Sequence, residues 1–476
     1  MKAIFIVSDT FRKDHLGAYG NTWIRTPNLD GLAAMSNVFD NYYIGSFPTL
    51  PNRRDMHLGL TDVPGRLPLN PWRGVDAGEI TLAERLYDNR VHTMMVNDVA
   101  NSCLQSRNMP GKVGFMNLHK GFEFFIGNRG QEADNVYSKS CVPLEFPVEP
   151  HLIRYPAEGW HRVLMNRSSW QVEEDFFAPK TFKIASEWLE HNYKRDNFLL
   201  WVETFDPHEP WDPPQWYIDM YDPGYTGRIF EAPTYGKYKE MGITARELKQ
   251  LRARYAAECT MVDFAVGRLL TTLERLSMLD EVAIFFTTDH GTYMGYDGDN
   301  DLICKPYEVG ADGMAMSGGG PMKKPSRKFA QFTGVTNIPL FIHMPGQKKG
   351  KRIGQIAQPW DIKPTVLDLF GLKCPPELIG GSLLPVIEGK KKATRSAAIC
   401  GAPQSHFQAM TADWAYTVWP FDEIKPMLID RKNDKSQSKN VASKNPGVCQ
   451  KLHKEIVSFV KAQKHADEKF LKALGA

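Results

Sequence analysis

The 476-residue chain lacks three features, any of which would have fixed its class at once. It has no apolar run near the roughly 18 residues that a membrane helix needs, so no membrane partner is expected. Its seven cysteines (Cys103, Cys141, Cys259, Cys304, Cys374, Cys400 and Cys449) are odd in number, scattered and without a CxxC pair. That argues against a disulfide framework and against a zinc-thiolate site. Reduced thiols in a cytoplasmic protein are expected instead. Excess charge is missing too: Lys and Arg number 58, Asp and Glu 55, for a formal net charge of +3. Nothing in that balance calls for nucleic acid or a membrane surface as a partner. The opening "MKAIFIVSD" carries a five-residue apolar run, below the roughly 7–15 residues of a signal-peptide core. It reads as a buried strand. There are no internal repeats.

What is present is ordinary globular composition, 42% hydrophobic and 24% charged, enough for a large domain and a smaller one. Short apolar runs at "AIFIV" (3–7), "HTMMV" (92–96), "NFLLWVET" (197–204), "EVAIFFTT" (281–288) and "IPLFIHM" (338–344) read as buried parallel strands. Between them lie amphipathic helical patterns at 81–89, 178–194 and 244–276, and "TPNLDGLAAMS" opens with a helix-start signal at Thr26 and Pro27. The alternation predicts an α/β fold: a doubly wound, mostly parallel central sheet with helices on both faces. The glycine-rich, basic stretch 310–330 reads as a mobile loop. Beyond residue 375 the pattern changes to short strands, a lysine-rich stretch and a last helix from about 446 to 473. Residues 1–375 are therefore assigned to the catalytic domain and 376–476 to a C-terminal α+β subdomain of short antiparallel strands and a terminal helix.

In open α/β sheets, ligands bind beyond the C-terminal strand ends. Asp9 follows the first strand, Asp206 and His208 follow the third of the runs above, and Asp289 with His290 follows the fourth. Carboxylates and an imidazole gathered at one edge suit a divalent metal. The stretch "SFPTLPNRRDMHLGL" (46–60) adds Thr49 just ahead of Pro51, Arg53 and Arg54. Thr49 alone would read as a helix cap. Beside a metal its hydroxyl becomes a nucleophile at neutral pH. Arg53 then neutralises oxyanion charge or holds the metal ligands, and His208 protonates the leaving oxygen or binds a substrate oxygen.

Taken in order, "DTFRKDHLGAYG", "TPNLDGLA", "SFPTLPNRRDMHLGL", "DPHEPWDPP", "TTDHG", "IPLFIHMPG" and "DIKPTVLDLFGL" resemble the sulfatase branch of the alkaline phosphatase superfamily over roughly residues 3–390. The resemblance puts Thr49 at the family's nucleophile, which is Cys or Ser in Cys/Ser-x-Pro-x-Arg. It puts Asp9, Asp289 and His290, with Thr49, at the metal, Arg53 behind the nucleophile, His208 on the substrate side and Lys305 at the late substrate lysine. There are departures. Thr10 stands where a second metal aspartate belongs, Asp98 replaces a lysine of the pocket, and Asp297 replaces a late histidine. Asp98 and Asn101 are taken as lining the place the lysine left, and Asp297 as a further metal or substrate contact. Asp14 is read as orienting a helix start, His15 and His57 as ordinary residues, and Arg129 as a candidate for specificity.

Threonine cannot supply the formylglycine aldehyde of true sulfatases, so no formylglycine is expected. In this superfamily threonine nucleophiles serve phosphodiesterases and phosphoethanolamine transferases. The expected activity is thus that of a metal-dependent ester hydrolase, with phosphate mono- or diesters or phosphonate monoesters favoured over sulfate esters. Two readings stand beside it: a sulfuric ester hydrolase, as overall similarity implies, and an inactive anion-binding protein on the same scaffold. One divalent ion (Mn, Zn, Ca or Mg) is expected, with a small anionic ester as substrate and a homo-oligomer as a possible assembly.

Overall fold

The computed structural model describes residues 1–63, 74–99, 117–132, 134, 136–138, 141–306, 308–309, 327–391, 395–402, 405–463 and 468–475. Eight strands form one sheet: β1 (Lys2–Ser8), β2 (Asn37–Tyr42), β3 (His92–Asn97), β4 (Phe124–Gly127), β5 (Phe198–Thr204), β6 (Val282–Thr287), β7 (Leu340–His343) and β8 (Lys351–Ala357). Their order is β8-β2-β7-β6-β1-β5-β3-β4. All five apolar runs of the sequence lie in this sheet.

The 338–344 run corrects one expectation. β7 is antiparallel to both of its neighbours, β6 and β2, whereas the other pairs are parallel. Its apolar character reports burial on both faces, which any strand inside a covered sheet experiences whatever its direction.

β1 shows how the sheet divides two cores. Ile4 and Ile6 face one apolar cluster, and Ala3, Phe5 and Val7 face the other, the period-2 alternation of a strand covered on both sides. On the first face lie α1 (Pro27–Ala34), α3 (Phe177–Asn192) and the long α4 (Ala245–Arg275), which begins with a Thr244–Glu247 capping box. On the second lie α2 (Thr49–Leu58) and α5 (Ile362–Leu369). Residues 398–430 build a separate four-stranded antiparallel sheet, closed by α6 (Pro446–Ala462) over a third core. Residues 310–326 of the glycine-rich stretch lie outside the described residues, and 327–328 pair with 308–309. Among the described residues no helix is long and apolar enough to cross a membrane.

Candidate active site

Sheet register sets the site. Ser8 pairs with Thr204, and Val7 with Thr287, so the residues that follow β1, β5 and β6 emerge level at one edge. The amide of Asp9 continues the ladder to the Thr204 carbonyl at 2.9 Å. Thr10 then turns at φ +58°, a conformation a β-branched residue adopts only when its surroundings hold it there. The turn brings its amide to Asp289 Oδ1 at 3.2 Å.

α2 crosses this edge with Thr49 as its first residue and with Leu50 through Leu58 buried. One turn along the helix, Arg53 is fully buried and spends three nitrogens on three carboxylates: Nη1 on Asp289 Oδ2 at 2.5 Å, Nη2 on Asp9 Oδ2 at 3.1 Å and Nε on Glu203 Oε2 at 3.1 Å. Asn52 Nδ2 donates to the Asp289 carbonyl, a second tie between α2 and the Asp289 loop. The second guanidinium, Arg54, is bound to Asp62 and Glu79 and so belongs to the framework.

His290 closes the cluster. Its Nδ1–H donates to the Gly291 carbonyl at 2.9 Å, which leaves Nε2 as the acceptor, and the Thr49 hydroxyl donates to it at 3.1 Å. Burial pushes the imidazole down to about 4, so it is neutral. Asp9, Asp289 and His290 each offer a ligand atom, and these atoms lie within 4.8 Å of one another. Burial and the neighbouring Asp289 drive the Asp9 carboxyl well above its ordinary range. At Asp289 burial acts in the same sense, but His290, Arg53 and Lys305 outweigh it and hold the carboxyl below its ordinary value.

The residues present fit a divalent ion. Asp9 Oδ1 is buried with no hydrogen-bond partner among the described residues. Asp9, Asp289 and Glu203 face the single guanidinium of Arg53, and with a cation bound to keep all three ionised they exceed it by two negative charges in a buried place. Buried charge of that kind requires a counter-ion.

Opposite this cluster, Lys305 Nζ donates to His208 Nε2 at 2.6 Å, and His208 Nδ1–H donates to the Glu209 carbonyl at 2.7 Å. The ring stacks on Phe205 at 3.9 Å. Burial, then Lys305 and Arg154, push His208 well below its ordinary value. His208 is therefore neutral, with Nε2 as the acceptor for Lys305 Nζ. Lys305 also acts electrostatically on Asp9, Asp289 and His290, so the pair faces the cluster.

Other sequence candidates fall elsewhere. Asp98 is buried, with Oδ1 accepting the Phe205 amide at 2.6 Å and Oδ2 the Thr181 hydroxyl at 2.7 Å. Both oxygens are used to hold the His208 loop against α3, which corrects its reading as a pocket-lining group. Asn101 lies outside the described residues. Asp297 lines a separate cavity of about 550 Å³ with Arg12, Tyr19 and Arg431, not the Thr49 cluster. Asp14 pairs with Arg12, and Arg129 with Asp134. The His57 ring lies tilted against Trp201, with centroids 4.4 Å apart. The residue that the sequence reading missed is Glu203. Its signal was a lone carboxylate within the otherwise apolar "NFLLWVET".

A family model described as Sulfatase matches residues 2–372, and one described as N-sulphoglucosamine sulphohydrolase, C-terminal, matches residues 328–463. An arylsulfatase of Clostridium perfringens is 26% identical over 418 residues, which cover 82% of this chain and 79% of that protein. Arylsulfatase K of Danio rerio is 27% identical over 293 residues, 59% of this chain and 47% of that protein, so the match spans about half of that relative. Among solved structures, the phosphonate monoester hydrolase of Agrobacterium radiobacter superposes with a TM-score of 0.71 at 19% identity, covering 98% of this chain and 96% of that one.

Proposed function

Since the chain belongs to the sulfatase family, we propose that it is a metal-dependent ester hydrolase in which Thr49 is the nucleophile. We further propose that its substrates are phosphate mono- or diesters or phosphonate monoesters rather than sulfate esters. The observation that carries this reading is the Thr49 hydroxyl, 3.1 Å from His290 Nε2 at the head of α2, beside Asp9 and Asp289. Threonine at that position cannot become an aldehyde, and a secondary alcohol accepts a phosphoryl group directly.

Asp9, Asp289, His290 and Thr49 would hold the ion. A bound divalent ion would supply Lewis-acid charge at the nucleophile and the phosphoryl oxygens. Thr49 Oγ1 attacks phosphorus as its own proton passes to solvent, the bond from phosphorus to the leaving oxygen breaks, and that oxygen takes a proton from the Lys305–His208 pair, which solvent then restores. Water then cleaves the threonyl ester. Arg53 holds both aspartates in place throughout. The clustering of Asp9, Asp289, His290 and Arg53 weighs against an inactive scaffold, which would have no use for a metal site.

The names of the relatives favour the competing sulfuric ester reading, while the fold is shared with a phosphonate monoester hydrolase. A paired assay separates the two. Protein loaded in turn with Mn, Zn, Ca and Mg is given p-nitrophenyl sulfate, p-nitrophenyl phosphate, its phenylphosphonate and its diester. Phosphorus esters are expected to turn over fastest, with Thr49→Ala reducing kcat by about 10³-fold or more even at metal concentrations that saturate the remaining Asp9, Asp289 and His290 ligands. Preferred turnover of the sulfate ester would overturn the phosphorus-ester reading.

A further inference from the structure

An arginine wedged between two metal-ligand carboxylates poses an electrostatic problem. It fixes their orientation, yet its charge competes with any cation they are meant to hold. The structure contains an answer on the far side of the guanidinium. Glu203 lies on β5, fully buried, with Asn97 as its β3 cross-strand partner and Val7 as its β1 partner. Its carboxylate is fully engaged: Oε2 accepts from Arg53 Nε at 3.1 Å and from Asn97 Nδ2 at 3.1 Å, and Oε1 accepts from Trp201 Nε1 at 2.8 Å. His57 Nε2 stands a further 3.9 Å from Oε1, and its ring lies tilted against the same Trp201.

We infer that Glu203 is a positioning residue for the metal centre: it cancels the charge of Arg53 from behind, so that the arginine orients Asp9 and Asp289 without displacing the cation. This rests on the metal reading proposed above. The charge arithmetic carries it. With a cation bound and both aspartates ionised, the cluster of Asp9, Asp289, Glu203 and Arg53 has a net charge of −2, and without Glu203 the net charge is −1. In a buried site one unit of charge weighs heavily on the affinity for a dication. The donors around the carboxylate also fix its own orientation. Trp201 and Asn97 point N–H groups at it, so a neutral amide in its place would turn its NH₂ toward at least one donor.

The test measures Mn²⁺ binding by titration calorimetry on the full chain, with activity as a second readout. Wild type is expected to bind one equivalent. Glu203→Gln is expected to weaken binding about 10–100-fold, in the range typical of residues that support metal ligands. Excess Mn²⁺ should restore part of kcat with little change in KM. Glu203→Asp, which keeps the charge, is expected to lie closer to wild type. Where Glu203→Gln fails to fold, the double variant Arg53→Met/Glu203→Gln carries the test. It removes Arg53 and Glu203 together and leaves Asp9 and Asp289 with only the added cation to face, and its net charge of −2 predicts tighter binding than in Arg53→Lys/Glu203→Gln, whose net charge is −1. Unchanged affinity in folded Glu203→Gln, or equal affinities in the two double variants, overturns the inference. Absence of Mn²⁺ binding by wild type would instead sink the metal reading itself.

Discussion

The two sides of the site handle buried charge in opposite ways. Around Arg53, three fully buried carboxylates outnumber one guanidinium. Around His208, Lys305 Nζ donates to a neutral imidazole, and the Glu209 carboxylate 3.4 Å from Nδ1 is balanced by Arg154. One side is a negative pole that can hold a cation, and the other presents the Lys305 N–H against a neutral ring, the pole proposed to act as proton donor. An ester bound between them would have its nucleophile and metal on one flank and its leaving oxygen on the other. Preorganised opposite poles of this kind stabilise charge as it develops. On the proposed function the contrast also gives Thr49 a reason to sit on the negative side: a hydroxyl there would become a strong nucleophile only when a cation fills the pole.

Breaking the negative pole should do the most damage. Asp289→Asn removes one charge from the proposed metal ligands and leaves a single oxygen for the two sides now taken by Arg53 and the Thr10 amide. The expected result is loss of bound metal and a fall in kcat/KM of about 10³-fold or more, checked by elemental analysis alongside steady-state kinetics. Retained metal with retained rate would place the chemistry elsewhere.

The positive pole should answer differently. Lys305→Met is expected to lower kcat by about 10²–10⁴-fold while metal content holds. The size of the loss should depend on the leaving group. If Lys305 and His208 supply a proton, poor leaving groups suffer most and p-nitrophenol least. A series of substituted phenyl phosphates tests this. A loss independent of leaving-group acidity would make the pair a binder of substrate oxygens instead.

How far the sequence reached can be judged from particular residues. The strands were legible because burial on both faces demands near-continuous apolar runs, and β1, β3, β5 and β6 fall where those runs do. The direction of β7 was not legible, since apolarity carries no sign. That Asp9, Asp289 and His290 come together was legible because strand ends followed by acidic residues converge by construction. Asp98 occupies the same kind of position, after β3, and yet turns its oxygens to the Phe205 amide and Thr181. Sequence reveals that a carboxylate stands at the edge, and only the packing of α3 decides which way it faces. Glu203 was passed over because it sits inside a strand, where the pattern predicts packing rather than charge. The pairing of His208 with Lys305 was likewise beyond sequence, because it depends on a 2.6 Å contact between residues 97 apart.

The smallest effect lies away from both poles and serves as their control. His406, in the Ala398–Asp430 sheet, is buried, contacts Gln331 and Ser405, and is pushed by burial, then by Lys328, down to about 3. Its imidazole is neutral in the fold and takes up a proton once unfolded. The unfolded state thus binds more protons between pH 6.5 and about 3, and stability falls as pH drops through that window. At pH 5 the loss is on the order of 2 kcal/mol. His406→Gln should be less stable than wild type at pH 7 yet show a shallower decline from pH 7 to 5, read from urea unfolding at each pH. Groups shared by the two proteins, His290 included, cancel in that difference. An equal slope in both would mean that His406 does not gain a proton on unfolding in this window, and the acid sensitivity would then belong to the poles themselves.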